Sequence, residues 1–447
     1  MQEDHLDTIL TTLAHHPRVS DWVARRIMQT GTQLFLIGTE PEALRHVSTE
    51  RYEITVYSDH ERGRGKTTVS LTAAEMPILD KRLDEAAFMA GLSGNPPYAL
   101  PGPEPLPDVK LSDEAIATPE GAESSAARLR SEVVEAVQSE RAVRLSSLEA
   151  FLESGEVTLR SSTGVEAVSR GTKVTLDLAL ISRRPSNGEE SESQETWARR
   201  RLDDLDVPGL VRRQAGYARD SLDATLPPTG QYPVVIGAEA LQGLLRPITF
   251  RASAAARFAR YSPWEIGQRV LAAGEGAEEA ELTPDPVALI SDATLPFGTR
   301  SRVFDDEGVP GKRITLIEDG TLKNYWAEQR YATYLGVPAT GPTGTLVLNG
   351  GKQTERELLA PTSGPICHVV TFSFMDPDDI TGDFSGEIRL GYLITSEGTK
   401  PIKGGTVSGN IFSAFARARL SSDTVFLGEY RGPSVVRFDN QTLTGNP

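Results

Sequence analysis

Cysteine is almost missing from this chain: Cys367 is the one thiol in 447 residues. That excludes an internal disulfide and fits a reducing compartment. Histidine is scarce too. Five of six (His5, His15, His16, His46 and His60) precede residue 61, and only His368 follows. Little is left for a histidine-based nucleophile or metal site. Basic residues are outnumbered, 46 Lys and Arg against 62 Asp and Glu, for a net charge of −16. Such a chain disfavours a phosphate backbone, and no Lys/Arg block with interleaved aromatics occurs, so nucleic acid is set aside as a partner. No window of about 18 apolar residues exists, so no membrane-spanning helix is expected. The opening Met-Gln-Glu-Asp-His-Leu-Asp lacks the basic and apolar regions of a secretory leader. A soluble, cytoplasmic protein is the expectation. Gly-x-Ser-x-Gly elbows, phosphate loops of the Gly-x-x-x-x-Gly-Lys-Ser/Thr type and a dinucleotide fingerprint after a strand are absent as well.

What is present reads as an α+β protein of two or three domains, with ordinary composition at 38% hydrophobic and 24% charged. Leu6, Ile9, Leu10 and Leu13 form a helical stripe that Pro17 interrupts. Ser20 then caps a predicted helix carrying Trp22, Val23 and Ile27. Strand-like runs follow at 33–37, 52–57 and 67–71, with a polar hairpin loop over 59–65 and a helix over 80–92. Residues 1–94 are thus a small N-terminal α/β module. Six prolines in thirteen residues (95–107) exclude helix or central strand, and predict an extended linker over 95–108.

The middle α+β module, 109–225, has a helix at 125–138 with Leu129, Val133, Val134 and Val137 apolar. Strands are expected at 143–154 and 156–160, around Ser154-Gly155, and at 172–181, where Val174, Leu176, Leu178 and Leu180 alternate. The acidic stretch 185–195 reads as a mobile hairpin tip, and 197–205 and 208–222 as helices, Pro208 being tolerated in a first turn. From 226 to 447 a large β-rich domain follows. Strands are expected at 287–291, 346–348, 369–374, 387–395 and 425–427, and short helices at 263–271, 325–332 and 408–418. Asp319-Gly320 is a strong hairpin signal and Glu397-Gly398 a weaker turn.

The stretch from Thr229 to Ser253 organises the domain. Val234-Val235-Ile236 suits a buried strand, Gly237 ends it, and Ala240, Leu241, Leu244 and Leu245 share one helical face. Then come Arg246-Pro247-Ile248-Thr249-Phe250-Arg251. Arginine cannot ligate a cation, and proline can accept no proton. His15 and His16 are neighbours on a helix end and diverge. Cys367 and His368, adjacent on a strand, point to opposite faces.

These residues resemble the TldD/PmbA family of two-subunit bacterial peptidases. Further passages carry the resemblance: the Asn95-Pro96-Pro97 stretch, the turn at 162–166, and Asp306-Glu307-Gly308-Val309-Pro310 with Arg313. Tyr331 to Gly336 with Thr340-Gly341, Thr381-Gly382-Asp383-Phe384-Ser385, and Gly391-Tyr392-Leu393-Ile394 with the glycine-rich 401–410 extend it. Each is physically a turn signal. In the family's catalytic TldD-like subunit, a His-Glu-x-x-x-His zinc motif follows the leucine pair, and a C-terminal cysteine is the third ligand. Here residues 246–251 lack the motif and 426–433 lack the cysteine.

The resemblance is therefore to the TldE/PmbA-like subunit, and it implies no catalytic and no metal-binding residue in this chain. It implies a heterodimer with a TldD-like partner that holds the zinc. The pair would be a metallopeptidase, a hydrolase gripping extended, unfolded peptide by sheet-edge pairing, with this chain inactive alone. Arg246 and Arg251 become candidate cavity or substrate contacts for a carboxylate; otherwise they pair with a nearby acid such as Glu239. A binding protein without a peptidase partner, or a repurposed metal-free enzyme in a biosynthetic pathway, stays open on the same fold.

Overall fold

The structure is a computed structural model and describes residues 5–271, 283–361 and 364–445. Its N-terminal half is built on six antiparallel strands: β1 (Asp21–Ile37), β2 (Glu40–His60), β3 (Gly63–Leu71), β4 (Val143–Ser161), β5 (Glu166–Arg183) and β6 (Glu190–Arg199). Their order is β3-β2-β1-β4-β5-β6. β1 pairs with β4 from Val23↔Ser161 to Ile37↔Ser147. One sheet therefore runs through the N-terminal and middle modules. The proline-rich segment between them is a packed strap rather than a free linker. Tyr98 and Leu100 are buried, and the Arg64 guanidinium donates to the Tyr98 carbonyl at 2.8 Å. Fixed proline φ keeps such a strap extended without a partner strand.

Helices α1 (His5–His15) and α2 (Leu79–Leu92) cover the β1–β3 end of the sheet, and α3 (Pro119–Ser139) and α4 (Val207–Asp223) the β4–β6 end. Leu129, Val133 and Val137 of α3 meet Leu148, Leu152, Val174 and Leu176 in one core. Each such leucine contributes about 1.5–3 kcal/mol by leaving water. Both helices start on side-chain caps, Thr118 accepting from the Gly121 amide and Asp206 from the Gly209 amide, with proline in the first turn.

Several local expectations are corrected. The helix predicted over 22–27 is the first part of β1: strands on both sides offer it a full ladder, which outweighs a local helical stripe. The two strands at 143–154 and 156–160 are one, with Gly155 opposite Gly171 in mid-sheet instead of in a turn. The acidic 185–195 is a tip only as far as 189, because Glu190 onward pairs with β5. In place of a helix at 197–205 stand the end of β6 and one 3-10 turn, Leu202–Asp204. Residues 263–271 are irregular, with Gly267 at φ +88°.

The C-terminal domain opens with β7 (Gly230–Gly237), α5 (Ala238–Leu244), α6 (Arg246–Arg251) and α7 (Ala254–Phe258). β8 (Leu289–Asp292), β9 (Arg313–Glu318), β10 (Thr321–Leu322), α8 (Gln329–Leu335), β11 (Thr345–Leu348) and α9 (Glu355–Leu358) come next. The chain ends with β12 (Ile366–Pro377), β13 (Asp383–Thr395), β14 (Gly398–Ile402), β15 (Thr406–Asn410), α10 (Ile411–Phe415), β16 (Arg419–Leu420), β17 (Thr424–Phe426), β18 (Tyr430–Pro433) and β19 (Val435–Thr444). The helix expected at 325–332 thus begins later, as α8, and only the middle of 408–418 is helical, as α10.

One sheet runs β12-β7-β19-β15-β13-β14, and since β12 also pairs with β13, its path closes into a ring. The second sheet runs β10-β9-β8-β11-β18-β17. Leu241, Leu244 and Leu245 pack with Val234, Ile236, Cys367, Phe415 and Phe438 in the domain core. Asp319 (φ 49°) and Gly320 (φ 70°) form the β9–β10 hairpin turn. No described helix is long and apolar enough to cross a membrane.

Arg64 is 6% exposed and bonds Asp59 at 2.7 Å and Asp21 at 2.5 Å as well as the strap. Its removal strands two carboxylates and a carbonyl. Arg64→Ala is expected to lose about 3 kcal/mol of stability, read as a lower urea midpoint at unchanged m-value.

Candidate functional site

Leu245 ends α5, and α6 restarts at Arg246 with Pro247 in its first turn. The arginines of α6 face the β12–β13 hairpin. Arg246 donates to Asp379 at 2.8 Å, to Asp376 at 2.9 Å and to the Pro377 carbonyl. Arg251 donates to the Ile380 carbonyl and lies over the Phe412 ring, 4.6 Å from its centroid. Glu239 pairs with Arg213 at 3.2 Å instead of with Arg246. The hairpin turn is held from within by Asp378, which accepts from the amides of Ile380 and Thr381 at 2.8 and 2.6 Å. Gly382 (φ +77°) must be glycine, since a Cβ there would lie 2.3 Å from the Phe412 ring. The Thr381-Gly382-Asp383-Phe384-Ser385 motif therefore shapes the element that α6 grips.

Two guanidinium groups and a proline do not fit a cation site. Among the described residues, no group of three or more His, Cys, Asp and Glu is placed to hold a metal ion. Cys367 is buried between Val234 and Leu393 of the neighbouring strands. Burial pushes its thiol up to about 12 and the His368 imidazole down to about 4. Neither is poised as nucleophile or base near neutral pH. His15, on the α1 end, bonds the Thr11 carbonyl, and His16 lies 3.4 Å from Asp84.

A cavity of about 690 Å³ opens between the sheet and the C-terminal domain. β5, β6 and the residue after β6 give it Lys173, Glu195, Trp197, Arg199 and Arg200, α5 gives Glu239 and Gln242, and the later loops give Arg300 and Glu429. Arg246 and Arg251 are not among its lining residues. Burial, then the charge of Glu239, raises the Glu195 carboxyl to about 7. Burial lowers Arg200 to about 10, so it remains charged at neutral pH. Arg300 and Glu429 pair across the rim at 2.9 Å.

Residues 229–445 match the family profile described as PmbA/TldA metallopeptidase C-terminal domain. Metalloprotease PmbA of Escherichia coli O157:H7 is 25% identical over 373 residues, 80% of this chain and 77% of its own length. The C-terminal part of the chain therefore matches the C-terminal domain of PmbA/TldA-type metallopeptidases. Over shorter stretches the chain is 24% identical to a zinc metalloprotease TldD homolog of Saccharolobus solfataricus, across 56% of this chain and 51% of that protein. An uncharacterised protein of Methanocaldococcus jannaschii is 30% identical across 34% of this chain and 38% of its own length. The chain thus spans about half, or less, of these two relatives. The crystal structure of TldE from Thermococcus kodakarensis covers 99% of this chain and 100% of its own, with a TM-score of 0.79 at 17% identity. That likeness is one of fold.

The fold brings together residues that sequence reasoning missed. Glu195, Trp197 and Arg199 share a face only because β6 is a strand, whereas 197–205 reads locally as helix. The one available signal was the Arg199-Arg200-Arg201 run after Trp197.

Glu195 yields a pH test. Its folded pKa lies near 7 against an ordinary 4.5, so the folded state keeps a proton that the unfolded state releases. Stability therefore falls as pH rises from about 4.5 to 7 and is level above. Glu195→Gln is expected to exceed the parent by on the order of 1 kcal/mol at pH 8 and to match it near pH 4.5, measured by urea unfolding at both.

Proposed function

We propose that this chain is the non-catalytic, TldE/PmbA-like subunit of a two-subunit zinc metallopeptidase. The observation that carries the reading is α6: at the six places where a catalytic subunit would hold His-Glu-x-x-x-His, two arginines are tied to the β12–β13 hairpin. With a proline where the base would stand, no hydrolytic step runs through this chain. The zinc, and the water it activates, belong to a TldD-like partner. Arg246 and Arg251 act here as supports of the hairpin rather than as the carboxylate clamps considered from the sequence. The substrate is an extended, unfolded peptide or peptide-like molecule. β6, the last strand of its sheet, borders the cavity and offers an edge that can pair with any sequence. The lone buried thiol suits a cytoplasmic home.

The purified chain is expected to carry sub-stoichiometric zinc by elemental analysis and to leave an unstructured peptide intact. Adding a TldD-like subunit with His-Glu-x-x-x-His is expected to give chelator-sensitive cleavage. Tight zinc in the isolated chain would overturn the reading. Chelator-insensitive cleavage by that chain would favour a metal-free enzyme instead.

A further inference from the structure

The cavity between β6 and α5 is lined by Lys173, Arg199, Arg200 and Arg300 against Glu195, Glu239 and Glu429. Arg199 is 6% exposed, and its bonds among the described residues go to the Ala198 and Leu427 carbonyls, both at 2.9 Å. Arg200 likewise bonds carbonyl oxygens, those of Gly298, Ser301, Thr172, Thr299 and Leu111. Carbonyls take most of the donors but supply no full negative charge, and neither guanidinium forms an ion pair among the described residues, although Glu239 and Asp204 act on Arg199 from a distance; holding both cations away from water is costly. Lys173 adds an exposed ammonium at the rim. This happens in a chain of net charge −16.

The same wall holds polar atoms without a partner: Arg199 Nε, Trp197 Nε1 on a side chain 3% exposed, and the Gln242 Oε1 acceptor. Buried polar groups of this kind are normally satisfied. An anion answers the two donors, while Gln242 calls for a hydrogen-bond donor beside that anion. A peptide C-terminus offers both, a carboxylate with an amide N–H a few bonds away; hydrogen phosphate, with its O–H, is the competitor the test must separate.

We propose that this cavity is a binding site of the chain itself for the C-terminal carboxylate of an extended peptide, with Arg199, Trp197 and Lys173 on the carboxylate and Gln242 on the amide. The volume, about 690 Å³, lies in the ordinary range for ligand cavities, roughly 300–1,000 Å³. Glu239 is already committed to Arg213. Glu195, close to half protonated at neutral pH, opposes an incoming carboxylate only weakly. The ligand class rests on the peptide-handling reading above, but the site does not need the catalytic partner.

The test uses the full chain alone and a dye-labelled unstructured hexapeptide, as the free acid and as the C-terminal amide, followed by fluorescence anisotropy. The free acid is expected to bind about tenfold tighter than the amide. The surface variant Lys173→Glu, with an unchanged circular dichroism spectrum, is expected to weaken the free acid by about threefold or more and leave the amide unaffected. Equal binding of acid and amide, or no binding of either at millimolar peptide, would overturn the proposal. Competition by inorganic phosphate as strong as by unlabelled free-acid peptide would overturn the assignment to a peptide terminus. Because no partner is present, failed cleavage in the two-subunit assay with binding intact would count against the peptidase reading alone.

Discussion

Arg200 is the joint on which the cavity depends. It leaves the end of β6 and reaches into the C-terminal domain, donating to Gly298 at 2.7 Å and Ser301 at 2.8 Å while still holding the Thr172 carbonyl. Those oxygens sit where the two halves meet, and one planar fork with five donors serves them together. Its path requires a bare backbone beside it: a Cβ on Gly171 would lie 2.7 Å from Nη1. A second tie lies elsewhere on the same junction. The Glu307 carboxylate accepts from Tyr57 at 2.9 Å, Lys66 at 3.3 Å and Tyr98 at 3.4 Å. The strap joins in, with Gln329 bonded to the Ala99 carbonyl and Tyr334 to that of Pro96. The N-terminal sheet and the C-terminal domain are thus pinned at separate points, and the space left between them keeps its shape.

Much of the fold was legible because its signals are local. The apolar face of α3, the proline of α4, the Val-Val-Ile strand ahead of α5 and the Asp-Gly turn each declare themselves within a few residues. The failures share a physical cause. Residues 22–27 and 197–199 become strand through partners more than twenty residues away or on both flanks, and no window around Trp22 or Trp197 contains those partners. Gly155 looks like a turn residue, yet it faces Gly171 where strands cross beneath the junction.

The two candidate sites differ in legibility for the same reason. That 246–251 cannot hold a metal follows from residue identity alone, which needs no geometry. What the arginines do instead could not be read, because Asp376 and Asp379 lie some 130 residues on. The cavity was invisible altogether: β6, α5 and the loops at 298–300 and 427–429 meet only after the halves dock.

The segment 246–251 is also locked in place. Arg246 holds two aspartates at once, and Asp378 is spent on the turn amides. Histidines at 246 and 251 would leave Asp376 and Asp379 without the guanidinium that bonds both, so the hairpin would lose that tie. Arg251 would vacate its place over Phe412, the ring against which Gly382 is fitted. Pro247 would still bar a base. The 426–433 loop is engaged as well, since the Leu427 carbonyl takes an Arg199 donor. The arginines of α6 and the hairpin therefore form one coupled solution to charge and packing, and reversing one residue at a time would cost stability before any metal could bind.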